Sequence, residues 1–409
     1  MNTQCQKQLT LQPVAGEFAQ PLPADILNIA DKRRANVFAW RGQFSPQLVE
    51  SLLRAYCPAG AHVLDPFTGS GTVLYEASRS GLASQGFELN PAAWILARTY
   101  RFMHVALPER MDIHTSLVTH IKHNIPEPPL LEGYNVTPIA EKDFATTIAE
   151  IKKSTSADET ILLETLVILL DLAKNTLTTR YLYQTLHKLT ILLQSLPYSV
   201  APLHIALADA RHLPLPNESI DFVLTSPPYI NVFNYHQNYR RSAEILGWDL
   251  LKIARSEIGS NRANRGNRFL TVIQYCFDIA FVLREIHRVC KISSRIILVI
   301  GHESHVLGVP FYNADIIENI ARNMACFTIH QRQKRVFKNK FGKNIREDLL
   351  HLSCERNTIT ETEIQAIAQS IALQELNRGL PIVSEKNRAD ILDAIKNIDT
   401  INGTPIFCQ

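Results

Sequence analysis

The chain has 409 residues, 46% hydrophobic and 20% charged, with a formal net charge of +3. This is the composition of a globular fold with a full-sized core, and it excludes a disordered chain and a histone-like polycation. Seven cysteines without C-x-x-C spacing argue against a disulfide framework or a thiolate zinc site, and no apolar run reaches the length of a membrane span. The N-terminus lacks the apolar core of a signal peptide, so a cytoplasmic chain with reduced thiols is expected.

In chain order, residues 1–35 read as a turn-rich lead-in, with Pro13, Pro21 and Pro23. Ser45 and Pro46 then suit the start of a helix whose apolar positions include Leu48, Val49, Leu52 and Leu53. A short apolar run at 61–64 ends at Asp65-Pro66, followed by Phe67-Thr68-Gly69-Ser70-Gly71-Thr72 and a helical pattern that Gly81 closes. Residues 83–89 read as a second strand ending at Glu88. Strand, glycine-rich turn, helix, strand is the opening of a doubly wound parallel sheet. Residues 102–202 change to helical spacing almost free of glycine and are expected to form a helical insertion. The sheet resumes with strands ending at Asp209 and at Thr225-Ser226, a helix over about 269–289, and a strand over 295–300. Strand candidates 327–337 and 348–354 flank a basic loop and predict a terminal hairpin. Residues 355–409 read as a helical, peripheral extension.

The glycine loop at the carboxyl end of the first strand lies where open α/β sheets bind ligands. It is no Walker loop, lacking Gly-Lys-Ser/Thr, and no dinucleotide fingerprint, because Leu74 stands where the third glycine is needed. A ligand without phosphate, held near a helix N-terminus, fits better. Glu88 is placed like the acid that binds ribose hydroxyls, against the alternative of a solvated or capping carboxylate. Asp65 suits either a ligand ammonium or a simple turn before Pro66.

Thr225-Ser226-Pro227-Pro228-Tyr229 follows a buried strand. Two prolines fix two φ angles and remove two N–H donors, so the turn is stiff and rich in acceptors. An exocyclic amino group on a base offers two N–H donors and a lone pair delocalised into the ring. The Ser226 hydroxyl and the carbonyls near Ser226 and Pro227 can accept those protons and turn the lone pair toward a methyl donor. Tyr229 offers a face for stacking a base that has left the duplex.

These motifs resemble the amino-group DNA methyltransferases of restriction-modification type. The resemblance implies a Rossmann-like S-adenosylmethionine-dependent methyltransferase fold, with the catalytic domain in residues 36–101 and 203–354. It implies cofactor contacts from Phe44, Asp65, Pro66, Phe67, Gly69, Gly71, Thr72, Glu88 and Asp209. Ser226, Pro227, Pro228 and Tyr229 become the catalytic turn. The cofactor it implies is S-adenosyl-L-methionine, and the partners are double-stranded DNA and a cognate restriction endonuclease. A Ser-Pro-Pro-Tyr turn is typical of cytosine-N4 enzymes in that family. The order here, cofactor loop before catalytic turn, departs from many of them. Adenine-N6 and RNA amino-group methylation stay open as alternatives, with an inactive DNA-binding relative ranked below them. No Pro-Cys pair occurs, which sets cytosine-C5 chemistry aside.

Arg240, Arg241, Arg255, Arg262 and Arg265 after the catalytic turn, and Lys338 and Lys340 in the terminal hairpin, are candidate DNA contacts. Lys334, Arg335, Lys343 and Arg346 belong to the second cluster. The alternative for either run is a solvated face. Tyr235 and His236 are candidates for a position near the flipped base. The insertion at 102–202 is a candidate target-recognition or accessory region. His302, Glu303 and His305 are too few for a metal site, and none is assigned.

Overall fold

The computed structural model describes residues 18, 20–29, 32–40, 42–128, 138–231, 235–260, 264, 266–339 and 342–407. Its centre is a seven-stranded sheet of β1 (Val63–Asp65), β2 (Ser84–Glu88), β3 (Leu203–Leu207), β4 (Ile220–Thr225), β5 (Cys290–Gly301), β8 (Phe327–Lys338) and β9 (Asn344–Cys354). The small strands β6 (Ser304–Val306) and β7 (Val309–Phe311) form a separate pair. The order across the sheet is β3-β2-β1-β4-β5-β9-β8. The first five strands run parallel, and β9 inserts antiparallel between β5 and β8. The order reverses beside β1, which opens a crevice at the carboxyl ends of β1, β2 and β4. This is the Rossmann-like methyltransferase sheet that the sequence implied, with its terminal hairpin.

Side-chain alternation sorts the strands into two cores. Val63, Phe222, Leu224, Ile297, Val299 and Leu349 face the helix Pro46–Tyr56. Leu64, Val223, Ile296, Leu298, Ile300 and Leu350 face the helices Leu270–Val289 and Asn313–Met324. The expected boundaries hold to within a few residues, except that β5 starts five residues earlier than the apolar run. Pro46 does open its helix, but the Ser45 side chain makes no capping bond.

The insertion contains the helices Leu107–Asn124, Glu141–Ser154, Ala157–Leu169 and Thr179–Ser195. It lies within the crossover from β2 to β3, and its core is continuous with the helix Pro91–Arg98 through Ala92, Ile95, Leu96, Phe102 and Leu166. Ser156 and Glu159 form a reciprocal capping box that starts the third of its helices. Arg98 pairs with Glu164 at 3.0 Å and Thr99 meets Thr165 at 2.8 Å, so polar groups between the two parts are also matched.

The C-terminal extension is helical as expected, but it is not peripheral. Helix Glu361–Gly379 buries Ile364, Ala368, Ile371, Ala372 and Leu376 in the same core as helix Leu270–Val289. At roughly 1.5–3 kcal/mol for each fully buried large apolar side chain, this face is a substantial part of the fold's stability. Among the described residues no helix is long and apolar enough to cross a membrane.

Candidate active site

The loop after β1 is shaped by its glycines. Gly69 and Gly71 have φ of +53° and +88°, and a Cβ on Gly71 would lie 2.7 Å from a ring carbon of Tyr100. Only glycine meets both demands. The loop then delivers the backbone into helix Thr72–Arg79, whose N-terminus borders an open cleft. The segment before Pro46 covers the loop from above. Trp40 packs over Gly69 and stacks on Tyr239, and Gln43 accepts a hydrogen bond from Ser70 Oγ at 2.9 Å.

The cleft is lined by Phe44, Pro66, Phe67, Gly69, Thr72, Glu88 and Asp209 from the expected cofactor residues, together with Ser226 and Pro228 of the catalytic turn. Two loops more than 150 positions apart in sequence thus share one cavity. Trp40, Asn90, Tyr235, Glu257 and Ile258 line it as well. Of these Tyr235 was expected near the base, and the others were not singled out in the sequence. Its acidic side chains are Glu88, Asp209 and Glu257, and no Lys or Arg is among its described lining residues. Such a wall disfavours phosphate and suits a ligand with cationic centres.

Glu88 accepts from the Gly69 amide at 2.7 Å and the Asn90 amide at 2.8 Å. Burial nevertheless pushes its carboxyl up to about 7, against these bonds. Asp65 stands below the cleft and does not line it. It is 1% exposed and accepts from Thr225 Oγ1 at 2.6 Å and the Phe67 amide at 3.1 Å. Burial also raises its carboxyl to about 7. In this structure Asp65 Oδ1 ties the glycine loop to the last residue of β4. Gly71 likewise faces Tyr100 and Ala97, away from the cleft.

Asp209 is held by Arg211, whose guanidinium donates to both its carboxylate oxygens at 2.9 and 2.6 Å. Arg211 also reaches Asp278 at 2.6 Å and Thr404 in the tail, and the Phe407 amide donates to Asp209 at 3.0 Å. The C-terminal extension therefore buttresses the cleft. His236 is turned to Glu257 at 2.8 Å, both buried.

In the catalytic turn, Ser226 Oγ and the Tyr229 hydroxyl are 3.1 Å apart. The Tyr229 ring lies over Gly301 at the end of β5, where a Cβ would meet it at 2.7 Å. Gly259 fits against the Tyr229 carbonyl in the same way, at 2.4 Å. Tyr275 donates to the Pro228 carbonyl at 3.0 Å. Pro227 packs beneath, beside Ile279 and Leu298, away from the cleft. Gly259, Tyr275 and Gly301 shape the site, and none of the three carries a motif of its own.

The basic candidates divide. Arg255 and Lys338 are exposed. Arg240 pairs with Glu244 at 2.7 Å, and Arg241 pairs with Glu141 of the insertion. Arg262, Arg265 and Lys340 lie outside the described residues. His302 is turned to Asp348 at 2.8 Å.

Comparison with known proteins gives a local match. Residues 17–97 match the DNA methylase family that groups N6 and N4 enzymes. Over 61 residues the chain is 36% identical to the type II methyltransferase M.MjaII of Methanocaldococcus jannaschii, covering 15% of this chain and 12% of that relative. The chain therefore spans about an eighth of that relative's length. Among solved structures it is similar to TrmN from Thermus thermophilus, with 16% identity, 77% of this chain, 50% of that one and a TM-score of 0.33. It is also similar to an S-adenosylmethionine-dependent methyltransferase from Methanosarcina mazei, with 11% identity, 74% and 96% coverage and a TM-score of 0.33. The resemblance to amino-group DNA methylases thus holds over residues 17–97, the segment with the glycine loop and Glu88, and S-adenosyl-L-methionine is the cofactor that this match and the cleft support.

Proposed function

We propose that the protein is an S-adenosyl-L-methionine-dependent DNA methyltransferase acting on an exocyclic base amino group, with cytosine N4 the favoured target. The observation that carries this reading is the shared cleft. Ser226 and Pro228 line the same cavity as Gly69, Thr72 and Glu88. Glu88 would accept the ribose hydroxyls, Phe67 and Ile258 would pack on the adenine, and the acidic wall would suit the ligand's two cationic centres. When bound, S-adenosyl-L-methionine supplies an electrophilic methyl group on its sulfonium sulfur.

The chain's own residues do the rest by orientation. The target base leaves the duplex. Ser226 Oγ and the carbonyls of Ser226 and Pro227 accept from its amino group, drawing the nitrogen lone pair out of conjugation and toward the cleft. Tyr229 fixes the Ser226 hydroxyl and leaves the uncovered part of its ring for stacking. The Pro228 carbonyl, already engaged by Tyr275, anchors the turn. Arg255 and Lys338, with Arg240 and Arg241, are proposed phosphate contacts. A restriction endonuclease reading the same sequence is the proposed functional partner.

The test is product analysis. Purified protein is incubated with labelled S-adenosyl-L-methionine and high-complexity DNA, which is digested to nucleosides and resolved by mass spectrometry. The expected product is N4-methylcytosine. N6-methyladenine would reassign the base, and label entering RNA alone would overturn the DNA reading.

A further inference from the structure

Two buried arginines of this fold are each held by several hydrogen bonds, Arg110 through its terminal nitrogens with only its Nε unpartnered. Arg211 donates to Asp209, Asp278 and the tail, and Arg110 donates to the carbonyls of Val105, Leu193 and Leu196. Arg335 differs. Its side chain is 4% exposed, yet its one described charge partner is Glu347, at 3.5 Å, and its Nε has no hydrogen-bond partner. The guanidinium lies 4.2 Å over the ring of Phe337, which holds its plane without using a donor. Burial lowers the Arg335 pKa and raises that of Glu347, so desolvation outweighs their attraction. A buried Nε–H donor left unpaired in this way is costly unless something else meets it.

The sheet register says where that something would come from. Arg335 is paired with Glu347, and Glu347 with Gly301. Tyr229 of the catalytic turn lies directly over Gly301. These residues therefore form a row across β5, β9 and β8 on one face of the sheet. Neighbouring strands are roughly 4.8 Å apart, so the Arg335 backbone is about 10 Å from that of Gly301, a distance its extended side chain largely spans. Both Glu347 and Arg335 act electrostatically on the Tyr229 hydroxyl, which in turn meets Ser226. The Arg335 guanidinium is thus within electrostatic reach of the turn that carries Ser226 and Tyr229.

We infer that Arg335, held in orientation by Glu347, is a specificity-determining residue that reads the target base, donating to the N3 and O2 acceptors of cytosine. This rests on the function proposed above and deepens it. Cytosine carries two adjacent acceptors next to its amino group, matching the two parallel donors of a guanidinium. Adenine offers N1 beside its amino group and then a C–H, so one donor would remain buried and unmet. Arg335 stands in a basic run whose surface reading was phosphate contact, but its burial removes it from that role.

The experiment compares wild type, Arg335→Met, Arg335→Lys and Glu347→Gln on high-complexity DNA. It reads the ratio of N4-methylcytosine to N6-methyladenine, the initial rate, the Kd for S-adenosyl-L-methionine and the melting temperature. A bidentate base contact corresponds to about 10- to 100-fold in discrimination. Arg335→Met is expected to lower the cytosine rate by that amount and to narrow the ratio, with cofactor Kd unchanged. Arg335→Lys keeps the charge without the fork and is expected to narrow the ratio too. Should Arg335→Met fail to fold, Arg335→Lys and Glu347→Gln decide. An unchanged product ratio in these variants, with rate losses that track melting temperature, would overturn the inference while the proposed function stood. Wild-type product that is only N6-methyladenine would overturn the inference and reassign the base of the proposed function, and that result is read before any variant is made.

Discussion

Gly301→Ala tests whether the catalytic turn depends on close packing against β5. A Cβ at Gly301 would lie 2.7, 2.9 and 3.0 Å from three ring carbons of Tyr229, where ordinary contact begins at 3.4 Å. The ring must retreat by about 0.7 Å, and the backbone cannot carry it, because the Tyr229 carbonyl is itself pinned against Gly259. The ring therefore swings about its side-chain torsions, and the 3.1 Å contact between its hydroxyl and Ser226 Oγ opens. Overpacking of this kind costs about 1–3 kcal/mol, and the lost hydrogen bond about 0.5–1.5 kcal/mol. Displacing a positioning group by about 1 Å can cost roughly 100-fold in rate. Methyl transfer is expected to fall by about 10- to 100-fold. The Kd for S-adenosyl-L-methionine should hold, because Gly301 does not line the cleft. Filter binding of labelled DNA gives the rate and calorimetry gives the Kd. Tyr229→Phe, which keeps the ring and drops the hydroxyl, should show part of the same loss. A Gly301→Ala enzyme within twofold of wild-type rate would refute the account of the turn.

Three other outcomes follow from the same geometry. Glu88→Ala removes the acceptor of two loop amides and the proposed ribose acid, and should weaken cofactor binding by about 10- to 100-fold by calorimetry; an unchanged Kd would remove Glu88 from the site. Arg211→Met leaves Asp209 and Asp278 buried without their cation, and should cost about 3–5 kcal/mol in urea unfolding, a loss below 1 kcal/mol being the contrary result. Asp65 has a folded pKa raised to about 7 from an unfolded value near 3.9, so the stability it contributes is full below about pH 4 and is lost as pH rises through 7. Asp65→Asn cannot ionise, and its melting temperature relative to wild type should therefore climb between about pH 4 and 7 and level off above that. The difference is the measure, because the buried neutral His351, lowered to about 3, works in the opposite sense; a difference flat with pH would refute the assignment.

The parts of the site that the sequence made legible are those written in local pattern. A strand ending in Asp65, two glycines where φ must be positive, and two prolines after β4 each constrain their own few residues. What was not legible depends on contacts between distant segments. Gly259 and Gly301 matter only because Tyr229 lies against them, and Tyr275 is one more aromatic on an apolar helix until its hydroxyl meets Pro228. The extension after 355 reads as peripheral because its apolar stripe is visible while its partner helix is not. Charge runs are similarly silent about which face each residue occupies. Arg240, Arg241 and Arg335 are neighbours of other basic residues in sequence, but each is paired with a glutamate and only the third is buried. The sign of a charge is local information, and the face it occupies is not.

The three acids of the cleft differ in how far the protein itself answers them, which is the basis for proposing Glu88 as the ribose acid. Asp209 is answered by Arg211 and by the Phe407 amide, so each of its oxygens already has strong donors. Glu257 is answered by His236. Glu88 is met by backbone amides, among them those of Gly69 and Asn90, and by no described side-chain cation. Burial pushes its carboxyl up to about 7. Two hydroxyl donors on adjacent carbons are the complement of its two oxygens, and a nearby positive centre would return the carboxyl to its ionised form. A ligand bearing a ribose diol and a sulfonium supplies both. Cofactor binding should therefore tighten as pH rises through about 7, because the ionised carboxylate is the form the ligand selects, and affinity that is flat from pH 6 to 8 would count against Glu88 as the ribose acid.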